Sequence, residues 1–376
     1  MYDQTVMRDT RAVVDLSAVA GSIRGISGLV GPRVEVMAVV KADGYGHGAI
    51  PVAKTALNNG ASSLGVAYVQ EAVELREAGL STPILVFGIA PPESIDPVVR
   101  YDLAQAVADA ETPQALAAGV TTDRPARVHI KVDTGMGRIG ITPGDALEYA
   151  RLLKKLPNIE IEGIFTHFPR ADELDPAFTK RQIETFTALL RELDHAGIHI
   201  PKRHMANSAG VLAFPDSYLN LVRPGIMIYG LYPSREVARS IPLSPAMSLV
   251  TKIRFLKRVG PGTPISYGGT FVTKADTLVA TLPLGYADGY RRLLSNNYEV
   301  LVRGRRAPVI GRVCMDMTMI DVTLVPNVAV GDEVVLMGSQ GDQEISTDEM
   351  AERLGTINYE ITCLVGKRVP RVYING

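Results

Sequence analysis

The chain has 376 residues, 46% of them hydrophobic, with 39 Lys and Arg against 40 Asp and Glu for a formal charge of -1. That length predicts two domains, a large barrel and a smaller partner, and the even charge leaves no basic field for a polyanion, which argues against nucleic acid as a partner. Two cysteines, Cys314 and Cys363, cannot build a disulfide framework and read as buried thiols of a reducing compartment; with no apolar leader in residues 1–10 and no later run long enough to span a bilayer, the expectation is a cytoplasmic protein with no membrane contact.

Leu16, Val19, Ile23 and Ile26 recur at helical spacing over Asp15 to Leu29, with Asp15 placed as N-cap. Val34 to Val40 follows as a strand apolar on both faces, ending at Lys41 in the glycine-rich stretch Ala42-Asp43-Gly44-Tyr45-Gly46-His47-Gly48, and Ala49 to Asn58 reads as a helix. Further strands are predicted at Ser63 to Ala67, Pro83 to Phe87, Gln105 to Ala108, Arg127 to Val132, Ile159 to Thr166, Lys202 to Ala206 and Tyr218 to Val222. Helical segments fill the gaps, among them Gln70 to Ala78, Thr112 to Ala118, Pro143 to Leu156 and Pro176 to Ala196. About eight βα units in roughly 230 residues match a (β/α)8 barrel, with a doubly wound sheet as the competing α/β architecture. After Pro242 the pattern alternates with period two over Leu249 to Val259, Leu278 to Leu284, Glu299 to Val302, Ala307 to Val313, Thr318 to Val322 and Glu333 to Met337. Two short helices are expected near the end, Asp348 to Leu354 behind a Ser346 capping box and Asn358 to Leu364. The expected organisation is a TIM-like barrel over residues 12–241 and a mainly β C-terminal domain over 242–376, to which residues 1–11 add a strand.

Lys41, Asp133 with Arg138, His167, Asn207 with Ser208, and Arg223 each fall at or just past the end of a different predicted strand. A barrel gathers those ends on one face, where barrel enzymes place their sites. Lys41 has two readings. Desolvation at a buried strand mouth lowers an amine's pKa and suits a nucleophile or Schiff-base former, while a strand-end lysine can equally snorkel to water. Arg223, before Pro224-Gly225, fits a phosphate clamp, a salt-bridge partner or a tuner of a cofactor, and Asn207-Ser208-Ala209-Gly210 is a second turn suited to an anion. A Schiff-base lysine with a phosphate cradle points to pyridoxal phosphate.

Other signals carry less. Gly135-Met136-Gly137-Arg138-Ile139-Gly140 fits a dinucleotide fingerprint, but such a unit normally opens its domain, and here several βα units precede it. His167 alone reads as a core histidine, and His204, inside a strand, as a supporting group. His47, His129, His195 and His199 lack metal-ligand spacing, so no catalytic metal is expected. Tyr267, between Ser266 and Gly268, reads alone as a turn tyrosine packed on its neighbours, and Cys314-Met315-Asp316 as a strand junction with Cys314 buried.

Taken together, these residues resemble the alanine racemase family along nearly the whole chain. The resemblance rests on Ala38 to Gly48, Lys131 to Arg138, Ala206 to Ala209, Arg223 to Gly225, Ile265 to Gly268 and Gly311 to Asp316. It implies a pyridoxal phosphate-holding (β/α)8 barrel, a β-domain, and a homodimer in which each site is completed by the partner's β-domain. Lys41 would carry the cofactor, and Tyr45, Ser208, Gly225, Ile226 and Tyr359 would hold its phosphate. Asn207 and His167 also match cofactor-side positions. Arg138 would lie near the phenolic oxygen and the substrate, and the backbone of Met315 at the substrate carboxylate. Tyr286 resembles a gate in the access channel, with Lys131, His204 and Asp316 in support; Lys131 matches a lysine that is carbamylated in some members.

The implied reaction is interconversion of L-alanine and D-alanine by two bases acting on the external aldimine, which supplies D-alanine for peptidoglycan. Lys41 would serve the D-enantiomer's proton and Tyr267 the L-enantiomer's. A free tyrosine titrates near ~10, so Tyr267 needs a cationic bias, which His167 and Arg223 would pass along a hydrogen-bond chain. Arg223, matched to the residue facing the pyridine nitrogen, would keep that nitrogen unprotonated and favour reprotonation over transamination. The competing functions are a broader-specificity amino-acid racemase of the same fold and a non-catalytic pyridoxal phosphate carrier.

Overall fold

The computed structural model describes residues 8–121 and 124–376, so most of the strand expected from residues 1–11 lies outside the described residues. The chain separates into two units: Ala18–Gly44 with Ala49–Ser244, and a second made of the segment ending at Ser17, Tyr45–Gly48 and Pro245–Gly376.

The first strand, β1 (Arg11–Asp15), goes with the second unit. The first unit is built on β2 (Glu35–Val39), β3 (Ser63–Val66), β4 (Ile84–Val86), β5 (Ala104–Val107), β6 (Ala126–Lys131), β7 (Ile159–Phe165), β8 (Lys202–His204) and β9 (Leu221–Val222). Every ladder among them is parallel, in the order β8-β7-β6-β5-β4-β3-β2-β9. The seam between β8 and β9 is bridged by the Arg203 N–H donating to Asn220 Oδ1 at 2.8 Å and the Arg223 N–H to the Ala206 carbonyl at 2.9 Å. The sheet is therefore a nearly closed eight-stranded barrel.

Val36 to Val40 is buried throughout, as a strand with a filled interior on one face and a helix on the other demands. The helices predicted from periodicity form, Ala49–Asn58 and Ala177–His195 among them; the latter lays Phe186, Leu189, Leu190 and Leu193 against the core. The last predicted barrel strand is shorter than expected. Pro215–Ser217 forms a 3₁₀ turn and Leu219 turns left-handed at φ 52°, which leaves only Leu221–Val222 extended.

The second unit packs a seven-stranded sheet, ordered β16-β15-β18-β10-β1-β20 with β19 on β18, and a three-stranded sheet β11-β14-β17 around one apolar core. Its strands are β10 (Met247–Lys252), β11 (Phe255–Val259), β12 (Pro264–Ile265), β13 (Phe271–Val272), β14 (Thr277–Leu282), β15 (Glu299–Val302), β16 (Arg305–Pro308), β17 (Thr318–Asp321), β18 (Glu333–Gln340), β19 (Gln343–Ile345) and β20 (Arg371–Ile374). The single strand expected over Leu249 to Val259 is two. Ile253 donates to the Asp332 carbonyl and Arg254 to that of Thr281, so the chain changes sheets there. The strand expected over Ala307 to Val313 stops at Pro308, which has no N–H to donate, and Gly311 at φ 72° starts a loop. The Ser346 hydroxyl caps Thr347–Leu354 by accepting from the Glu349 N–H at 3.1 Å. Both cysteines depart from expectation: Cys314 is half-buried in that loop and Cys363 is exposed.

Candidate active site

After β2 the chain forms a left-handed turn. Ala42, Asp43, Gly44 and Tyr45 all have φ between 51° and 59°, and the Gly44 N–H donates to the Val40 carbonyl at 2.9 Å. Left-handed backbone costs roughly 1–2 kcal/mol per non-glycine residue, so Ala42, Asp43 and Tyr45 together store roughly 3–6 kcal/mol. Two carboxylates hold it. Glu71 accepts from the Ala42 N–H at 2.6 Å and, with its other oxygen, from the N–H groups of Ala67 and Tyr68; Asp43 accepts from the Ala49 N–H at 2.9 Å. Strain held in this way fixes the direction of half-buried Lys41 at the barrel mouth.

Around that face the barrel collects cations. Arg223, only 4% exposed, donates through one terminal nitrogen to His204 Nδ1 at 2.8 Å and through the other to the carbonyls of Thr166 at 2.7 Å and Met205 at 3.2 Å, with His167 Nδ1 at 3.5 Å. Its guanidinium lies over the Phe165 ring, 5.2 Å from the centroid. Burial lowers its pKa to about 9, which still leaves a cation at neutral pH. Lys131 is buried, donates to the Val132 carbonyl at 2.7 Å, and is lowered to about 8 by burial, with Asp133 opposing and Arg223 and Arg138 adding to the shift. His167 is held neutral, first by burial and then by the positive charges of Arg223, Arg138, Lys131 and Lys41.

The fingerprint-like loop is an anchor for Arg138. Asp133 Oδ1 accepts from the N–H groups of Gly135 at 2.9 Å and Met136 at 2.8 Å, which folds the loop and leaves Arg138 exposed. Ser208 is buried at the start of the short helix Ser208–Ala213, capped by Asn207 Oδ1, which accepts from the Gly210 N–H. The Ser208 hydroxyl accepts from the N–H of Gly225 at 2.9 Å and of Met227 at 3.4 Å, while its own proton has no acceptor among the described residues. Ile226 opens the 3₁₀ turn that follows.

The second unit carries a separate set. Ser266 has φ 65° and ψ -173°, a region that only glycine visits freely. Its hydroxyl, donating to the Arg312 carbonyl at 2.7 Å, holds the turn that presents Tyr267, 71% exposed. Met315 and Tyr286 share one rim. The Tyr286 N–H donates to the Cys314 carbonyl at 3.0 Å and the Ala287 N–H to that of Met315 at 3.1 Å, an approach possible because a Cβ on Gly285 would sit 2.1 Å from the Cys314 oxygen. The Met315 N–H itself has no acceptor among the described residues. Asp316 pairs with Arg368 at 2.7 Å. Tyr45, which belongs to this unit, lies 6.1 Å from Tyr359 between ring centroids.

The barrel unit thus brings together Lys41, Lys131, Arg138, His167, Asn207, Ser208, Arg223, Gly225 and Ile226, with His204 behind Arg223; the second unit brings together Tyr267, Tyr286, Met315 and Asp316, and separately Tyr45 with Tyr359. Glu71, Phe165 and His129 escape sequence reading. Glu71 alone left a signal, as an acid in the first turn of a helix.

The donor set fits an anionic, phosphate-bearing cofactor: an excess of cations, a buried hydroxyl with its proton to give, and a lysine at the mouth. Comparison with known proteins agrees. The family model described as alanine racemase, N-terminal domain, matches residues 14–233, and that described as alanine racemase, C-terminal domain, matches 246–373. The chain is 50% identical to the alanine racemase of Halothermothrix orenii over 376 residues, covering 99% of each protein. Its fold superposes on alanine racemase from Bacillus anthracis with bound L-Ala-P at TM-score 0.93 and 42% identity, covering 98% of this chain and 95% of that one. For alanine racemase from Clostridium difficile 630 the values are 0.95, 38%, 98% and 97%.

Proposed function

The chain belongs to the alanine racemase family, which interconverts L-alanine and D-alanine with pyridoxal phosphate, and on that premise we propose that Lys41 and Tyr267 are its two opposed proton carriers. When bound, pyridoxal phosphate acidifies the α-C–H of an amino acid by drawing its electron pair toward the pyridine ring. Lys41 Nζ takes or returns the α-proton on one face, that of D-alanine, and Tyr267 Oη on the other, that of L-alanine.

The observation that carries this reading is the pair of strained turns, one at Ala42 to Tyr45 and one at Ser266, each spent on aiming a single proton-bearing side chain. Ser208, the Gly225-Ile226 turn, Tyr45 and Tyr359 are proposed to take the phosphate, with Asn207 holding the Ser208 turn. Arg223 is proposed for the pyridine nitrogen; a donor with no proton to give up keeps that nitrogen unprotonated. Arg138 and the Met315 N–H are proposed for the phenolic oxygen and the substrate carboxylate, and Tyr286 for the gate. His167 next to Arg223, Lys131 within electrostatic reach of Arg138, and Asp316 on Arg368 support these positions.

The functional division proposed is a cofactor-holding barrel over 12–241 and a proton-donating β-domain over 242–376. A homodimer is proposed as the working form, supported by exposed Tyr267, Tyr286, Met315 and Met317 on the second unit. No helix among the described residues is long and apolar enough to cross a membrane. A cytoplasmic location is proposed on the ground that neither cysteine is in a disulfide.

The test is incubation of the holoenzyme with L-alanine in heavy water. Loss of optical rotation with one α-deuterium per inversion is expected, and inversion with the α-hydrogen retained would defeat solvent-exchanging carriers. Alanine is expected to outrun serine, lysine and arginine, because tyrosines and Met315 crowd the proposed pocket; equal rates would favour the broader-specificity reading.

A further inference from the structure

Arg223 is a buried cation whose hydrogen bonds, among the described residues, include no carboxylate. A negative charge nevertheless reaches it through two imidazoles. His204 Nδ1 stands 2.8 Å from Arg223, His204 Nε2 stands 2.8 Å from His129 Nδ1, and His129 Nε2 stands 2.9 Å from Glu162 Oε2. Both rings are buried, and Glu162 closes the chain, its other oxygen meeting Lys202 at 3.1 Å and Arg127 at 3.5 Å.

The ends dictate the protons between them. A guanidinium only donates, so His204 Nδ1 is an acceptor and its proton sits on Nε2; an ionised carboxylate only accepts, so His129 carries its proton on Nε2 as well and offers Nδ1 to His204. Every hydrogen bond then points from Arg223 toward Glu162, with both imidazoles neutral. Burial favours neutrality in both rings, and Glu162, which burial alone would raise, is drawn to about 2 chiefly by its bond to His129 and by Lys202.

The backbone is shaped for this contact. Along β6 and β7 the register runs Val128 with Ile161 and then His129 with Gly163, so Glu162 is the extra residue of a bulge, a rare device in a parallel pair. A Cβ on Gly163 would lie 2.3 Å from His129 Nδ1, so the ring occupies space that only glycine leaves. His204 is stacked on Phe165, ring centroids 4.9 Å apart with planes 2° from parallel.

We propose that Glu162 is a positioning residue for Arg223, its carboxylate holding His129 and His204 in the one proton arrangement that leaves His204 Nδ1 free to accept from the guanidinium. The opposite arrangement would set an Nδ1–H against an Arg223 N–H, two donors facing each other in a buried site. The effect on catalysis rests on the proposed place of Arg223 at the pyridine nitrogen; the proton arrangement does not.

The experiment is nitrogen-15 NMR of histidine-labelled holoenzyme, with the two signals assigned through His129→Gln and His204→Gln. Both rings are expected neutral and protonated at Nε2; an imidazolium or an Nδ1–H form of either ring in the unsubstituted enzyme overturns the proposal. In Glu162→Gln, whose neutral amide can donate or accept, mixed Nδ1–H and Nε2–H signals are expected, with kcat lowered about tenfold, as for outer partners of ligating groups, and KM within twofold. Unchanged signals, or kcat within twofold, overturn it. Lys202→Met keeps the carboxylate and should change neither readout; a tenfold loss there would make the cluster structural and also overturn the proposal. Arg223→Lys separates the two claims, since unchanged kcat in that variant defeats the role of Arg223 and leaves the NMR result to judge Glu162.

Discussion

The two groups of candidate residues, one on each unit, are built on opposite terms. On the barrel, Arg223, Lys131 and Ser208 are buried; Arg223 and Lys131 both donate to carbonyls, and Arg223 also meets an imidazole and an aromatic face. On the second unit, Tyr267, Tyr286 and Met315 stand in the open, held from behind by backbone hydrogen bonds and the Ser266 hydroxyl. A cofactor that must stay put needs many buried contacts, whereas a proton carrier needs only its direction fixed and its tip free. The same currency fixes direction on both sides, namely left-handed or glycine-like backbone at residues other than glycine.

Tyr267→Phe breaks the comparison most sharply. Removing a positioned acid-base group should cost about 10²–10⁴ in rate. Because a racemisation has an equilibrium constant of one, kcat/KM must fall equally in both directions; the asymmetry appears in exchange instead. D-alanine should still trade its α-hydrogen for deuterium through Lys41 without inverting, while L-alanine should not. Equal survival of exchange in both enantiomers would refute the division of roles.

The next effect is on the buried side. With an amine lowered to about 8, roughly a tenth of Lys131 is unprotonated at pH 7, against far less than a hundredth for an ordinary lysine near ~10.4. Such an amine can take up carbon dioxide, and the carbamate would brace exposed Arg138. Mass spectrometry under native conditions should find the added carboxylate on Lys131 with occupancy rising from pH 7 to 8.5, and activity should fall severalfold when bicarbonate is stripped; an unmodified amine in good electron density would sink the idea. Unmodified, the lysine has a folded pKa below its unfolded one, so it costs stability at neutral pH. That cost fades as pH rises from about 8 to ~10.4.

Smaller still is Glu71→Gln. The amide can keep at most part of three backbone hydrogen bonds and loses their charge assistance, so the left-handed turn should loosen at a cost of about 1–3 kcal/mol. Cofactor affinity should weaken severalfold while kcat at saturating cofactor changes less; a wild-type melting temperature with full cofactor retention would show that Glu71 is ornamental.

These residues also mark where sequence reading stops. The barrel is legible because apolar runs and strand-end polar groups recur in order, and Lys41, His167, Ser208 and Arg223 reach one face through that order alone. The handedness of the Lys41 turn is not, since Gly44 and Asp43 tolerate left-handed backbone without demanding it, while Ala42 ordinarily forms right-handed backbone. Glu71 reads as a solvent-facing helical glutamate until the turn folds against it. His129 and Glu162 sit in neighbouring strands as unremarkable polar residues, and their meeting depends on a bulge that no periodicity announces. On the second unit, expecting single strands over Leu249 to Val259 and Ala307 to Val313 fails where the chain switches sheets or meets Pro308, and the Gly311 loop begun there forms the rim beside Tyr267.

Ser266→Gly tests the open side with almost no cost in stability. Glycine relieves backbone strain of about 1–3 kcal/mol at φ 65° and ψ -173°, but forfeits the hydroxyl bond to the Arg312 carbonyl, about 0.5–1.5 kcal/mol, and adds chain entropy to the unfolded state, about 0.5–1 kcal/mol. The terms nearly cancel, so the melting temperature should move by no more than a few degrees. What is lost is direction, because a turn once limited to one conformation by a serine now has several. The kcat should therefore fall severalfold with KM for alanine little changed, and Ser266→Ala, which keeps the strain without the hydrogen bond, should lose more stability than Ser266→Gly. If Ser266→Gly keeps full kcat, the backbone at Ser266 does not aim Tyr267.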